Sequence, residues 1–332
     1  MTTLGERLSR RLGEATFRKT AELGYLNAER NLPFLEKTIR DLPPPGGGPS
    51  AMVVSAGPSL HHRRSVAAIR DSGYRGALVA VDGSLSHCLR NGLVPEYVIT
   101  LDPHHERIIR WFGDPELEKR ADDDYFRRQD LDPEFHANER RSNRELIELV
   151  NRHGPRLKVI AATCIDPSLA RRCLDAGTQI YWWNPLYDDT DAPGSVTRKV
   201  YELNGVPCMV TGGNCGAAAW VFAHSVLGMK HVGMVGMDLG YRPGTPLLNT
   251  QYYYQMKEVL GDRAADGYIT VPNPYLKEDW FADPTYYWYR SCFLEMAREA
   301  GCVTYNCSEG GTVFGEGIEF IPLAEFLGRF KE

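Results

Sequence analysis

At 332 residues, with 43% hydrophobic and 24% charged side chains, the chain has the balance of a globular protein with a large core, which excludes an extended disordered polymer. A formal net charge of −5 argues against binding nucleic acid or an anionic membrane over a broad face, because both need a basic surface. No stretch approaches the roughly 20 consecutive apolar residues that span a bilayer. The start from Met1 to Arg11 is polar and charged, without the apolar core of a secretion signal, so cytoplasmic localisation is expected.

Leu4, Leu8, Leu12, Phe17, Leu23, Leu26, Leu32 and Phe34 recur at roughly helical intervals among charges, which predicts an N-terminal helical arm over residues 1–42. Pro43-Pro44-Pro45-Gly46-Gly47-Gly48-Pro49 then breaks regular structure and reads as a linker over 43–49. A hinged arm and a helix packed on the domain through a rigid turn both fit. From residue 50 to 332, short apolar runs alternate with helical stretches: Ala51–Ser55, Ala77–Val81, Tyr97–Leu101, Val159–Ala162, Gln179–Trp183, Cys208–Val210, His231–Val235 and Cys302–Tyr305. Most are continuous rather than alternating, as in strands covered on both faces. They predict one α/β domain with a doubly wound, mostly parallel, Rossmann-like sheet, helices on both faces and right-handed crossovers. The charge-dense stretch between Asp114 and Arg144 reads as a solvated insertion, and Leu247 to Pro284, rich in Tyr and Pro, fits a lid or a surface excursion. The eight cysteines are scattered, with no C-x-x-C pair, and read as reduced core thiols.

In an open α/β sheet, ligands bind beyond the carboxyl ends of the strands. Several predicted strands end there in small, polar or acidic residues. In Ser55-Ala56-Gly57-Pro58-Ser59-Leu60, Gly57 permits a tight turn, Pro58 suits a first helical turn and Ser59 can cap a helix or donate to a phosphate. His61, His62, Arg63 and Arg64 follow and add positive charge. The turn matches neither G-x-x-x-x-G-K-[ST] nor G-x-G-x-x-G. Val81-Asp82-Gly83-Ser84 and Leu101-Asp102-Pro103 place carboxylates at two strand ends, where they can accept from ribose hydroxyls, hold a divalent cation or simply cap helices. Val210-Thr211-Gly212-Gly213-Asn214 runs a strand into a glycine turn that can offer backbone donors to an anion. Asp238 stands between Gly236 and Gly240, and Glu309 lies in a further polar turn, Ser308-Glu309-Gly310-Gly311. His104 and His105 are candidate general bases beside Asp102. The Tyr252–Tyr254 and Tyr286–Tyr289 clusters fit core packing or stacking on a base or sugar.

In order along the chain, the Ser55–Leu60 turn, Val81–Ser84, Gly92 with Pro95–Val98, Leu101–Pro103, Gly212–Asn214 with Gly216, Val235–Leu239 and Ser308–Gly311 resemble the MptE-like family over residues 50–320. The resemblance implies two activities. One branch, the motility-associated Maf proteins, is linked to transfer of nonulosonic sugars from CMP donors to flagellin, and the Gly-Pro-Ser turn is similar to the nucleotide loop of bacterial sialyltransferases. The other comprises 6-hydroxymethyl-7,8-dihydropterin diphosphokinases, which use ATP and magnesium. The chain departs from long Maf proteins in being little more than the central domain. It departs from compact pterin enzymes in its N-terminal arm and the insertion after Asp102.

The expected protein is therefore a nucleotide-binding transferase, with a glycosyltransferase favoured and a diphosphokinase as alternative. In the first reading Gly57, Pro58, Ser59, Asp82, Ser84, Thr211, Gly212, Gly213, Asn214 and Asp238 bind the nucleotide, and Glu309 or His104 takes the acceptor proton beside Asp102. In the second, Asp102 and Asp238, with Asp82, hold magnesium across the phosphates. A non-catalytic nucleotide-binding scaffold is the remaining alternative. The expected partners are the nucleotide and an acceptor, with no nucleic acid and no membrane.

Overall fold

The computed structural model describes residues 4–104, 111–117 and 139–331. Its centre is β1 (Ser50–Val54), whose five residues are all buried. Ala51 and Val53 belong to one apolar core, Met52 and Val54 to another on the opposite face. That alternation between two cores is what a sheet covered on both sides requires of a continuous apolar run.

The chain continues through β2 (Ala77–Val81), β3 (Tyr97–Thr100), β4 (Lys158–Ala162), β5 (Gln179–Pro185), β6 (Cys208–Met209) and β7 (His231–Val235). After an antiparallel hairpin, β8 (Ile269–Asn273) and β9 (Glu278–Ala282), it returns as β10 (Val303–Asn306) and β11 (Ile318–Phe320). The main sheet has nine strands in the order β11-β10-β7-β1-β2-β3-β4-β5-β6, and every pairing in it is parallel. All eight predicted runs became strands. The short β11 escaped because Ile318-Glu319-Phe320 carries a charge at its centre, and the hairpin falls in the stretch without a clear period. The winding reverses between β1 and β7, which opens a crevice at their carboxyl ends.

Eleven helices flank the strands among the described residues: α1 (Leu4–Asn31), α2 (Ser59–His62), α3 (Ser65–Ser72), α4 (Asp82–Arg90), α5 (Glu139–His153), α6 (Pro167–Asp175), α7 (Val196–Asn204), α8 (Cys215–Val221), α9 (Tyr253–Leu260), α10 (Pro284–Glu299) and α11 (Leu323–Arg329). None is long and apolar enough to cross a membrane. Part of the expected insertion, residues 118–138, lies outside the described residues. Its last residues belong to helix α5. At its base, Asp114 N–H donates to Asn143 Oδ1 at 2.8 Å and Asn143 Nδ2 donates to Asp114 O at 2.7 Å. The eight cysteines are unpaired.

The N-terminal segment is bonded to the domain at several points. Asn27 Nδ2 donates to the carbonyls of Pro103 (3.1 Å) and Cys164 (2.9 Å), and Asn31 Nδ2 to those of Thr163 (2.9 Å) and Ile165 (2.8 Å). These carbonyls follow β3 and β4, so the end of α1 crosses the same sheet edge on which ligands are expected. Further on, the backbone N–H of Trp182 donates to Lys37 O and its indole N–H to Phe34 O, both at 2.9 Å. This covers the part of β5 that two-residue β6 leaves unpaired, which blunts an edge open to foreign strands.

Asn31 is fully buried. Asn31→Ala is expected to lower stability by roughly 2–4 kcal/mol, since it leaves two buried carbonyls without donors. Urea denaturation measures this, and an unchanged midpoint would show that α1 is not held at this point.

Candidate functional site

A cleft of about 1510 Å³ runs along the carboxyl edge of the sheet. Gly57 from the β1 loop, Asp82 at the end of β2, Asp102 and His104 after β3, Thr211 to Asn214 after β6 and Asp238 after β7 all line it. Residues distant in the chain are thus brought to one surface. The topology accounts for this, since parallel strands must all end on the same side.

Within the cleft the loops have unequal roles. Gly57 N–H donates to Gly236 O at 2.7 Å, Ser59 N–H donates to Asp238 Oδ2 at 2.8 Å and Ser59 Oγ donates to Asp238 Oδ1 at 2.5 Å. A Cβ on Gly57 would meet Asp238 Oδ2 at 2.8 Å, so only glycine lets the two loops approach this closely. The Gly-Pro-Ser turn was expected to face a phosphate. Gly57 and Pro58 do line the cleft, but the Gly57 and Ser59 donors are spent on the β7 loop, and Ser59 does not line it. Burial raises the Asp238 carboxyl above its ordinary value, and the Ser59 hydroxyl and N–H oppose that rise. With both oxygens engaged by Ser59, Asp238 is poorly disposed to hold a metal, contrary to the sequence expectation. Among the described residues no three His, Cys, Asp or Glu side chains group as metal ligands.

Two other expected residues lie outside the cleft lining. Ser84 is buried and its single hydroxyl proton is shared between Val54 O (2.7 Å) and Val81 O (2.9 Å), which ties β1 to the start of α4. Glu309 sits behind the β7 loop, with its carbonyl accepting from Arg63 Nη2 at 2.9 Å. Its turn has a different job: Thr312 N–H donates to Asp238 O and Thr312 Oγ1 to Leu239 O, each at 2.8 Å. The candidate base is therefore His104, whose backbone N–H donates to Asp102 Oδ1 at 2.9 Å. His105 lies outside the described residues.

The glycine turn after β6 has left-handed backbone at Gly212 (φ 58°) and Gly213 (φ 84°). It is also overlaid by α10. A Cβ on Gly213 would meet the Tyr289 ring at 2.7 Å, and one on Gly212 would meet Ala217 Cβ at 2.7 Å. Asn214 caps α8, its Oδ1 accepting from Ala217 N–H at 2.9 Å. Cys215 follows. Burial raises its thiol well above the ordinary value, and the neighbouring Asp82 carboxylate adds to this. It is a packed thiol that donates to Ile99 O at 3.3 Å.

Sequence reasoning missed several lining groups. Ser55 is buried to 5% exposure and its hydroxyl has no partner among the described residues. It faces α8, where a Cβ on Gly216 would meet Ser55 Oγ at 2.9 Å. His87 and Arg90 line the cleft from α4 beside Ser86, and their spacing from Asp82 along one helical face was the readable signal. A second wall comes from the loop after β7, the unperiodic segment and α10: Tyr241, Gln251, Tyr252, Met256, Tyr286, Trp288 and Tyr289. Of these, Tyr252, Tyr286, Trp288 and Tyr289 belong to the aromatic clusters for which stacking is one of two expectations. Its anchor is Asp283, fully buried, which accepts from Tyr241 OH (2.6 Å) and from the N–H groups of Thr285 (2.8 Å) and Tyr286 (2.9 Å).

With fold and cleft described, comparison with known proteins is informative. A family model for the 6-hydroxymethylpterin diphosphokinase MptE-like group matches residues 26–112, from the end of α1 past β3. A solved Maf glycosyltransferase from Magnetospirillum magneticum AMB-1 superposes with a TM-score of 0.51 at 12% identity, covering 92% of this chain and 39% of that one. At that identity the likeness is one of fold, and this chain spans well under half the length of its neighbour. No curated protein matches by sequence. The MptE-like resemblance read from the motifs is borne out for those up to Leu101–Pro103, which fall within residues 26–112; the later motifs lie beyond that match.

Burial pushes the Asp283 carboxyl from 3.8 up to about 6, against the pull of its Tyr241, Tyr286 and Thr285 donors. A carboxyl raised on folding favours the folded state below its unfolded value, and that contribution is lost as pH rises through the folded value. Wild-type stability relative to Asp283→Asn should therefore fall by about 2–3 kcal/mol between pH 4 and pH 6 and then level off. Chemical denaturation of both proteins across that range measures it; a constant difference would refute the raised value.

Proposed function

We propose that this protein is a nucleotide-dependent transferase that moves a sugar of the nonulosonic-acid type from a CMP-activated donor to a glycan or protein acceptor. The observation that carries this reading is the single cleft of about 1510 Å³ joining the strand-end loops to an aromatic wall. A site for one small molecule occupies roughly 300–1,000 Å³, so donor and acceptor fit together. Maf-like fold and MptE-like sequence support the choice of class.

In this reading the nucleotide lies over Gly57, Pro58 and the Thr211–Asn214 turn, with Asp82 accepting from ribose hydroxyls. The acceptor oxygen attacks the anomeric carbon of the donor sugar. The bond from that carbon to the phosphate oxygen breaks, its electron pair leaves with CMP, and the acceptor proton passes to His104. The Asp102 carboxylate, which accepts from the His104 backbone N–H, holds that loop in place. Tyr286, Trp288 and Tyr289 offer flat apolar faces against which a sugar ring can pack.

A second reading has its own support. Asp82 and Asp102 follow the adjacent strands β2 and β3 and both act on the Cys215 thiol. A magnesium ion commonly takes one or two carboxylates together with phosphate oxygens, and these two fit that role in an ATP-dependent diphosphokinase. Magnesium would then neutralise charge on the transferred group.

Thermal melting separates the two, because a ligand that binds only the folded state raises the midpoint. CMP is expected to stabilise the protein without metal. Stabilisation by ATP alone, and only with magnesium, would overturn the sugar-transfer reading in favour of the diphosphokinase. Once a donor and acceptor pair is found, His104→Ala should cut transfer roughly 100-fold and leave CMP binding unchanged. Equal loss of both would remove His104 from the role of base.

A further inference from the structure

The cleft has a charge asymmetry. Asp82, Asp102, Asp188 and Asp238 line it from the strand-end loops, and Glu295 and Glu299 from α10. Its cationic side chains are fewer among the described residues. Arg298 shares α10 with those two glutamates, and His104 follows β3. The others gather at one corner, His61 on α2 and His87 and Arg90 on α4. No lysine lines the cleft among the described residues.

The corner is built, not incidental. The His61 and His87 rings stand 4.1 Å apart between centroids. Asp82, Gly83, Ser86, His87 and Arg90 line the cleft from successive turns of α4, which makes them one face of that helix. Arg90 is held from behind by Glu145, at 3.2 Å from Nε, and by Ser142 O, which accepts from Nη2 at 3.1 Å. Its side chain keeps 24% exposure. An anion seated between two imidazoles and a guanidinium can be met by donors from all three side chains. The Gly-Pro-Ser turn next to His61 cannot take this load, because the Gly57 and Ser59 N–H groups bond to the β7 loop.

We infer that His61, His87 and Arg90 form the anion subsite of the cleft and receive the phosphate of the bound nucleotide. The nucleotide identity of the ligand rests on the function proposed above; the anion subsite stands on its own geometry. Charge-assisted hydrogen bonds from the three side chains hold the phosphate oxygens. The departing phosphate gains negative charge as the donor bond breaks, so the same groups stabilise it there.

The test is calorimetric titration of the full chain with inorganic pyrophosphate in metal-free buffer, followed by CMP and cytidine. Wild type should bind pyrophosphate, and His61→Gln, His87→Gln and Arg90→Gln should each weaken it roughly tenfold. His61 is exposed, so its variant keeps the fold even if loss of the Glu145 pairing unsettles Arg90→Gln. Failure of wild type to bind pyrophosphate, or variants binding it as wild type does, would overturn the subsite. Pyrophosphate binding without CMP binding would instead overturn the nucleotide reading and leave the subsite intact. With both bound, CMP should exceed cytidine in wild type and lose that advantage in the variants.

Discussion

Everything at the carboxyl edge depends on one buried carboxylate. Asp238 is 3% exposed and sits where the winding of the sheet reverses, bonded through both oxygens to Ser59 on the neighbouring loop. Burial of a charge without such partners costs several kcal/mol, so the β1 and β7 loops are held in one arrangement. Gly57 makes the approach possible from one side. Gly311 does so from the other, where a Cβ would meet Asp238 Cα at 2.6 Å. Thr312 then fixes the carbonyls of Asp238 and Leu239. Three strand-end loops, after β1, β7 and β10, are thereby locked as a unit, with Gly57 and Asp238 of the lock still lining the cleft.

The rest of the cleft is assembled on that fixed edge. Asn27 and Asn31 bind carbonyls after β3 and β4, so α1 is tied to the loops that carry Asp102 and His104. On the far side, Asp283 caps α10 and accepts from Tyr241, which follows Asp238 by three residues. The aromatic wall is thus coupled to the same β7 loop through Tyr241, whose hydroxyl also accepts from Gln251 N–H and whose backbone pairs with Phe281. The glycines at 212 and 213 let that wall lie directly on the β6 turn.

The architecture was legible because strands buried on both faces are written as continuous apolar runs, and a parallel sheet places all their ends together. That is why Gly57, Asp102, Gly213 and Asp238 could be grouped from sequence and do line one cleft. Direction was not legible. A serine after a Gly-Pro turn reads the same whether its hydroxyl meets a ligand or a carboxylate 179 residues away, since local pattern carries no information about long-range partners. The same blindness made Glu309 look like a base, when its turn braces the β7 loop. Ser55, at the end of β1, gave no signal beyond being polar after an apolar run. His87 and Arg90 were hidden for another reason: their meaning lies in the face they share with Asp82, which shows only when helical phase is continued past the strand end.

The electrostatic balance of the cleft bears on the choice between readings. One guanidinium and two imidazoles at the α2–α4 corner suit a ligand with a single phosphate. A triphosphate would bring several more negative charges toward Asp82 and Asp102, both on the same cleft. Repulsion between such groups at a few ångströms amounts to about 4 kcal/mol per pair at an effective dielectric of 20, and a divalent cation is the ordinary remedy. The strand-end carboxylates therefore have two consistent meanings: acceptors for ribose hydroxyls when the nucleotide carries one phosphate, or magnesium ligands when it carries three. In the first case the phosphate meets the α2–α4 corner, and the carboxylates can serve recognition of the ribose instead of charge compensation. That economy of charge, together with room for a second substrate against the aromatic wall, is why the function we propose takes a CMP donor and not ATP.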